Sequence, residues 1–415
     1  MNTTALVDHF FRHEYGKLVA TLCRRFGTQH LELVEDAVQN ALMHALETWP
    51  VAGVPENRSA WLFRVASNAL VDDLRRTSRQ SKILESDASV AALRPAPEWA
   101  LVTGAHADDD MLRLLFVCCE ESIPLESQLV FALKTLCGFD VREIAQRLFT
   151  SEANIYKRYA RARDRLRTLP MQTDALISER FASRLPAVHQ VIYQLFNEGY
   201  LSATSDFTIR QELCADAIRL GELLAGHAVG DTPETAALLA LMFLHAARSA
   251  ARTESGGGLL LLEEQDRTRW DARQIEVGMT WLARSAHGEV YSRYHAEAAV
   301  AAEHCLARSF KETSWERVAS GYAMLEQVAP SPLHRLNRAL AIAESRGAHA
   351  GLDVLDACDP PEWLARSYMW WAVLSDLHRR AGNADIADGH RARAVAGAPS
   401  DPIRVLLERR LGQAE

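Results

Sequence analysis

Between Val141 and Arg167, apolar and polar positions separate onto opposite faces at helical spacing. Val141, Ile144, Ala145 and Leu148 line one side of a first short segment, the periodicity of an amphipathic helix. Asp140 stands before it and Glu143 three residues later, which suits a capping box. A second segment can start at Ser151, with Glu152 in its first turn. Ile155, Tyr159, Ala162 and Leu166 then share an apolar side, while Asn154, Lys157, Arg158, Arg161 and Arg165 share another. The pattern predicts two short helices, a tight turn and a basic second helix: a helix-turn-helix with a recognition helix.

The same periodicity organises the rest of the chain. Leu6, Phe10, Leu18, Leu22 and Phe26 predict a helix over 5–26, with further helices over 31–48 and around 58–78. In the second, Val34, Val38, Leu42 and Leu46 are expected inside, and Asp36, Gln39 and Asn40 share a polar face. In the third, Trp61, Leu62 and Val65 can pack locally. Asn68, Asp72 and Arg75 form a polar stripe there, continued by Arg76, Arg79 and Lys82. Residues 81–108 read as a linker, holding Pro95 and Pro97 and ending in the acidic run Asp108 to Asp110. A helix is expected to begin near Met111 and another after Pro124. Residues 171–185 connect to a succession of helices over 186–197, 208–224, 233–252, 269–286, 289–309, 313–327, 333–346, 362–381, 384–396 and 401–412. Trp363, Tyr368, Trp370 and Trp371 mark an aromatic-rich packing helix. These late helices suggest a solenoid of the tetratricopeptide sort, although no clean 34-residue period runs through them. The expected fold is all-α.

Composition adds exclusions. The chain has 415 residues, 48% hydrophobic and 24% charged, as in globular proteins of two or three domains. It lacks an N-terminal run resembling a secretory signal and an uninterrupted apolar 18-mer, so a cytoplasmic protein with no membrane partner is expected. Seven scattered cysteines do not make a disulfide framework. His295 and His304 are nine apart, and the fifteen histidines do not cluster, so neither a metal nor a cofactor is expected.

Charge is unevenly distributed. From Arg142 to Arg167 there are eight basic residues and three acidic ones, within a protein of formal charge -8. Residues 1–170 hold 21 basic and 22 acidic residues, and the remaining 245 hold 25 and 32. The acidic half is therefore a poor nucleic-acid platform and could instead cover a partner or regulate the basic part. On the proposed recognition helix, arginines and a lysine can meet phosphates and base edges. A solvated basic helix or a protein-binding surface would show the same pattern. Trp61 beside a polar, basic stripe can engage unstacked bases, or it can simply belong to the core.

Taken in order, these segments resemble an extracytoplasmic-function (ECF) sigma factor of bacterial RNA polymerase. Glu35-Asp36-Ala37-Val38-Gln39-Asn40-Ala41 resembles the core-binding segment of sigma region 2. Trp61 to Asn68, followed by Asp72, Arg75 and Arg76, resembles the segment that melts and reads the −10 element. The helix-turn-helix over 139–167 resembles region 4, which reads the −35 element. Leu195-Phe196-Asn197-Glu198-Gly199-Tyr200, Gln265-Asp266-Arg267 with Trp270, and Pro330-Ser331-Pro332 before Arg335 to Ala339 resemble the long tetratricopeptide-like extension of one subgroup.

The resemblance implies a region 2 domain over 1–80, a linker over 81–108, a region 4 domain over 109–170, a connector over 171–185 and a helical extension over 186–415. It also implies a non-catalytic, dissociable initiation subunit whose partners are core RNA polymerase and promoter DNA. Asp36, Gln39 and Asn40 would face the polymerase. Trp61, Asn68, Asp72, Arg75 and Arg76 would lie near the −10 strand, and Asn154, Lys157, Arg158, Arg161 and Arg165 near the −35 duplex. Asn197, Glu198, Tyr200, Gln265, Asp266 and Arg267 are candidates for contacts between domains, and the extension for an intramolecular or protein-mediated regulator. The principal alternative is a conventional helix-turn-helix regulator that does not join core polymerase. An enzyme fused to a DNA-binding domain would need a convergent pocket in the C-terminal half.

Overall fold

Three long helices begin the chain, each carrying the apolar stripe that its sequence sets. They are α1 (Thr3–Phe26), α2 (Leu31–Ala52) and α3 (Arg58–Ser81). The computed structural model describes residues 3–81, 105–148, 150–168, 179–200, 211–252, 260–357 and 359–412. Among them every regular element is helical. Leu18, Leu22, Leu31, Val34, Val38, Leu62 and Leu70 are wholly buried. Leu46 is 48% exposed rather than inside. The small residues Ala41 and Ala45 complete the buried stripe of α2 instead, and Leu46 follows one step round the helix.

Helix α4 (Ala105–Cys118) starts six residues before Met111, so the acidic run Asp108 to Asp110 is helical rather than linker. Residues 82–104 of the expected linker lie outside the described residues. Cys118 and Cys119 are both buried because α4 ends between them and the chain turns. Then come α5 (Leu125–Phe131), which continues into a π-helical turn at Ala132–Leu136, α6 (Val141–Arg147) and α7 (Glu152–Thr168). Helices α8 (Glu179–Tyr200) and α9 (Gln211–Gly226) follow. Arg184 of α8 donates to the Phe116 carbonyl at 3.1 Å and pairs with Glu120, which ties α8 to the end of α4.

The chain divides into two compact units. The first comprises 1–204 and 212–231; the second comprises 205–211 and 232–415. The second unit runs through α10 (Pro233–Ala246), α11 (Ala272–Ser285), α12 (Arg293–Leu306), α13 (Trp315–Val328) and α14 (Pro332–Arg346). It ends with α15 (Ala348–Asp356), α16 (Glu362–Ala365), α17 (Tyr368–Arg380), α18 (Ala384–Ala396) and α19 (Asp401–Leu411). Successive helices pack as neighbours, with α10 against α11 and α12, α13 against α14, and α17 against α18. Helix α10 is apolar all round, and its run Thr235 to Met242 is buried throughout, as expected of a central helix.

Two elements depart from the periodicity. Helix α15 follows α14 with only Gly347 between them and is not among the expected helices, which pass from 333–346 to 362–381. The expected helix over 362–381 breaks at Arg366, and Ser367 caps α17 by accepting from Met369 N. Trp363 is 53% exposed on the short α16, whereas Trp370 packs with Leu336, Leu352 and Leu377.

Asp110 of α4 is buried opposite Arg24 of α1, with Nε–Oδ1 3.1 Å. Burial pushes its carboxyl up to about 6, although Arg24 pulls the other way. A folded value above the unfolded ~3.9 means that the native chain binds more protons here. Stability from this group is therefore complete below that unfolded value and is lost as pH rises through about 6. Urea unfolding of Asp110→Asn should show a flatter pH dependence between those limits than the parent. An unchanged slope would contradict the buried-carboxyl account.

Candidate nucleic-acid interface

The turn before α6 is built by backbone and cap together. Gly138 takes φ +68°, a left-handed conformation that glycine adopts without a Cβ penalty. Asp140 Oδ1 accepts from Glu143 N at 2.6 Å, and Glu143 Oε2 accepts from Asp140 N at 3.1 Å. The anticipated capping box is therefore present. Ser151 Oγ accepts from Asn154 N at 3.3 Å, which starts α7 one residue after the serine.

Helix α7 divides as its sequence does. Ile155, Tyr159, Ala162 and Leu166 are buried. Lys157 and Arg161 are exposed and have no ion pair among the described residues. The other basic positions are engaged inside the unit. Arg158 pairs with Glu126 at 2.7 Å, and Arg165 Nε donates to Ser122 Oγ at 2.6 Å. Asn154 Nδ2 donates to Thr150 Oγ1 at 2.8 Å. Tyr156, 58% exposed beside Lys157, was not singled out in the sequence because it lies on neither the apolar nor the basic side of the helix. Its ring can contact bases or a thymine methyl.

On α3, Asn68, Asp72 and Arg75 are exposed at spacings of four and three, which puts them on one face. Arg75 lies 3.8 Å from Asp72, and Arg76 lies 3.4 Å from Asp73. Trp61 is half-buried, stacked on His44 and edge-on to Trp49, with both centroid separations 5.6 Å. It therefore contributes to packing while keeping part of its ring at the surface. On α2, Asp36, Gln39 and Asn40 are exposed together. Met43 (57%) and Leu46 (48%) extend the same face, so it is a mixed polar and apolar surface.

A buried carboxylate joins these elements. Glu35, next to Asp36 but pointing inward, is 5% exposed. Its Oε1 accepts from Tyr15 Oη at 3.2 Å and Thr135 Oγ1 at 3.1 Å, and faces Lys134 Nζ at 3.4 Å. Its Oε2 accepts from Tyr159 Oη at 2.5 Å. Burial, then the Glu35 charge, holds both tyrosine hydroxyls well above their ordinary range, so they stay protonated and donate. Lys134 Nζ also sits 4.6 Å from the Tyr159 ring centre. The cluster binds α1 and α2 to the π-helical turn and α7. At the rim, Glu32 pairs with Arg163 at 3.2 Å and Arg167 at 2.6 Å. A cleft of about 510 Å³ lies between the same elements, with Gln39 and Tyr15 on one wall and Glu152 and Tyr156 on the other.

The remaining candidates lie elsewhere. On α8, Tyr200 stacks on Phe196 at 5.7 Å, Asn197 and Glu198 are half-buried, and burial pushes the Glu198 carboxyl up to about 7. In the second unit, Asp266 Oδ1 accepts from Thr268 N at 2.9 Å. Gln265 is buried there. Arg267 donates to the His304 and Ala307 carbonyls at 2.6 and 2.7 Å, which satisfies the end of α12. These three residues therefore make contacts within their own unit.

Residues 11–80 match the sigma-70 region 2 family and residues 113–166 match sigma-70 region 4. Residues 184–286 match a family of unknown function, DUF6596. Over 402 residues the chain is 33% identical to an uncharacterized protein of Rhizobium meliloti (strain 1021), with 95% of this chain and 93% of that protein covered. The chain is an ECF-type sigma factor with an additional helical C-terminal extension. No solved structure matches it. The buried Glu35 cluster therefore joins region 2 to region 4 of this sigma factor, through Tyr15 and Glu35 on one side and Lys134, Thr135 and Tyr159 on the other. Among the described residues no group of three or more His, Cys, Asp or Glu could hold a metal ion, and no helix is long and apolar enough to cross a membrane.

The join between the two regions is close enough to be tested by one methyl group. A Cβ at Gly16 of α1 would collide with the backbone carbonyl oxygen of Leu136 in the π-helical turn. Overpacking of this kind costs about 1–3 kcal/mol. Gly16→Ala should lose stability in that range and speed hydrogen exchange at the π-helical turn. Gly226→Ala, where a Cβ would meet no atom within 4 Å, serves as the control. Equal behaviour of the two variants would refute the close approach.

Proposed function

We propose that this sigma factor binds core RNA polymerase, recognises −35 and −10 promoter elements and directs transcription initiation, leaving catalysis to the core enzyme. The observation that carries this reading is the presence of region 2 and region 4 in one chain, with an exposed basic face on the region 4 helix. Asp36, Gln39 and Asn40, flanked by Met43 and Leu46, suit a polymerase-binding face. Trp61, Asn68, Asp72, Arg75 and Arg76 are the residues assigned to the −10 strand. Captured unstacked bases would offset part of the cost of opening the duplex.

For the −35 duplex, Lys157 and Arg161 are the exposed cations of α7 without an ion pair among the described residues, and Tyr156 adds an aromatic contact. Asn154, Arg158 and Arg165 reach DNA only by exchanging Thr150, Glu126 and Ser122 for new partners. Elements about 25 base pairs apart are separated by about 85 Å at ~3.4 Å per step. Regions joined through a Glu35–Tyr159 hydrogen bond do not span that distance. Promoter engagement therefore requires this contact to open, and Asp36 beside Glu35 gives the polymerase a place to act on it.

The helical extension has a regulatory role in this reading, motivated by its acidic balance in a chain whose region 4 helix is basic. A folded chain ending at Asp231 that directs the same starts in the same yield would argue against that role.

The test is run-off transcription with purified bacterial core polymerase on a promoter library, with and without the full chain. Discrete starts that require the protein support the proposal. A folded protein that gives no starts, yet binds promoter duplex alone, overturns it in favour of a conventional helix-turn-helix regulator. Within the active system, Lys157→Ala and Arg161→Ala should each weaken −35 binding and lower the salt slope by about one. Arg158→Ala should cost less, because its guanidinium is already paired. A loss for Arg158→Ala exceeding both would refute that ranking.

A further inference from the structure

The second unit buries cationic and polar groups that its own residues leave unmatched. Arg248, just after α10, is only 9% exposed and lies over the Trp270 ring at 5.1 Å. Arg267 stacks on the same indole at 4.7 Å. The two guanidinium groups are not equivalent. Arg267 spends its donors on two backbone carbonyls and on Thr313 Oγ1 at 3.2 Å. Arg248 Nε has no hydrogen-bond partner, and among the described residues no carboxylate forms an ion pair with Arg248. Trp270 Nε1, a donor by nature, is likewise buried and unpartnered.

Two more orphan atoms belong to this part of the unit. His304 Nδ1 is buried without a partner, and so is Gln265 Oε1, whose own Nε2 is anchored to the Leu260 carbonyl at 3.4 Å. His304 is edge-on to Trp315 at 5.5 Å and is held neutral, pushed down to about 3 by burial and then by Arg248 and Arg267. The carboxylates nearby do not close the balance. Glu297 is engaged by Arg293 at 2.7 Å, and Glu312 is exposed. A buried arginine with no counter-charge is costly, and so is each orphaned polar atom around it. Folding therefore leaves a desolvated, positively charged, aromatic-walled patch with two donors free.

We propose that this patch is a binding site for a small ligand carrying an oxyanion, a carboxylate or a phosphate, centred on Arg248 and Trp270. The oxyanion takes hydrogen bonds from Arg248 Nε and Trp270 Nε1 and supplies the missing negative charge. Gln265 Oε1 and the neutral His304 are left to accept from or donate to the rest of the ligand. The indole, which both guanidinium groups contact, gives the site a flat apolar wall that excludes water from the new ion pair. This inference does not depend on the promoter-recognition reading.

The test uses the full chain and two probes, orthophosphate and succinate, titrated against chloride at constant ionic strength. A specific site gives a saturable rise in melting temperature with one or both probes. General salting-in or exclusion effects instead grow without saturation and persist in any variant. Arg248→Met should weaken the saturable response at least ~10-fold. Because the charge it removes is unmatched without ligand, the ligand-free variant should melt no lower than the parent.

Saturation by orthophosphate alone assigns a phosphoryl ligand, and by succinate alone a carboxylate; either supports the site. No saturable response to either probe overturns it, as does an equal response in Arg248→Met. If that variant does not fold, the parent chain decides: the Trp270 indole N–H resonance, assigned by Trp270→Phe, must shift saturably with a probe. A static resonance overturns the proposal.

Discussion

A single buried carboxylate lies at the centre of the contact between region 2 and region 4 of this chain. An ionised Glu35 would be expensive in the interior without partners, yet it meets Tyr15, Lys134, Thr135 and Tyr159, which satisfy both of its oxygens. The donors come from α1, the π-helical turn and α7, so satisfying one charge sets the relation of several helices. The arrangement tolerates no simple partial opening. Withdrawing Tyr159 takes away the shortest hydrogen bond and uncovers the carboxylate to water, and the rim pairs from Glu32 to Arg163 and Arg167 go with it. Buried polar clusters behave in this all-or-none way because a half-satisfied one is worse than either extreme.

The same cluster explains the uneven use of basic residues along α7. Arg163 and Arg167 look like DNA contacts in a list of charges, but they are occupied with Glu32. Arg158 and Arg165 hold the α5 side of their own domain through Glu126 and Ser122. Lys157 and Arg161 remain at the surface, next to Tyr156. The six positive charges of α7 therefore divide into structural and available ones by partner, not by type. The inward turn of Glu35 beside the outward Asp36 follows the same logic, since adjacent helical positions lie about 100° apart.

The second unit solves a different problem. Its helices are short, and several ends must be satisfied in the interior. Arg267 does this for α12 with two carbonyl bonds, and the Asp266 side chain holds the turn that presents it. A motif that could be mistaken for a polar reactive cluster is thus largely a fitting between helices. Arg248 is the exception, because the same indole that supports Arg267 also supports it, while its Nε has no hydrogen-bond partner and no carboxylate among the described residues pairs with it.

Much of this protein is legible in its sequence, for local reasons. The capping box at Asp140 and Glu143, the apolar stripe of α7 and the exposed Asn68–Asp72–Arg75 face depend on spacing along one helix, and spacing is a property of the chain. The all-α fold and the order of the DNA-reading segments follow from it. What the tertiary structure decided concerns residues whose surroundings come from far along the chain. Glu35 finds its donors about 100 and 124 residues away. Leu46 stays outside because two alanines close the stripe. α14 and α15 separate at one glycine, and Arg158 is paired while Lys157 has no ion pair among the described residues. Periodicity states which side of a helix is apolar, but the partner across the interface determines which of the remaining side chains are already used.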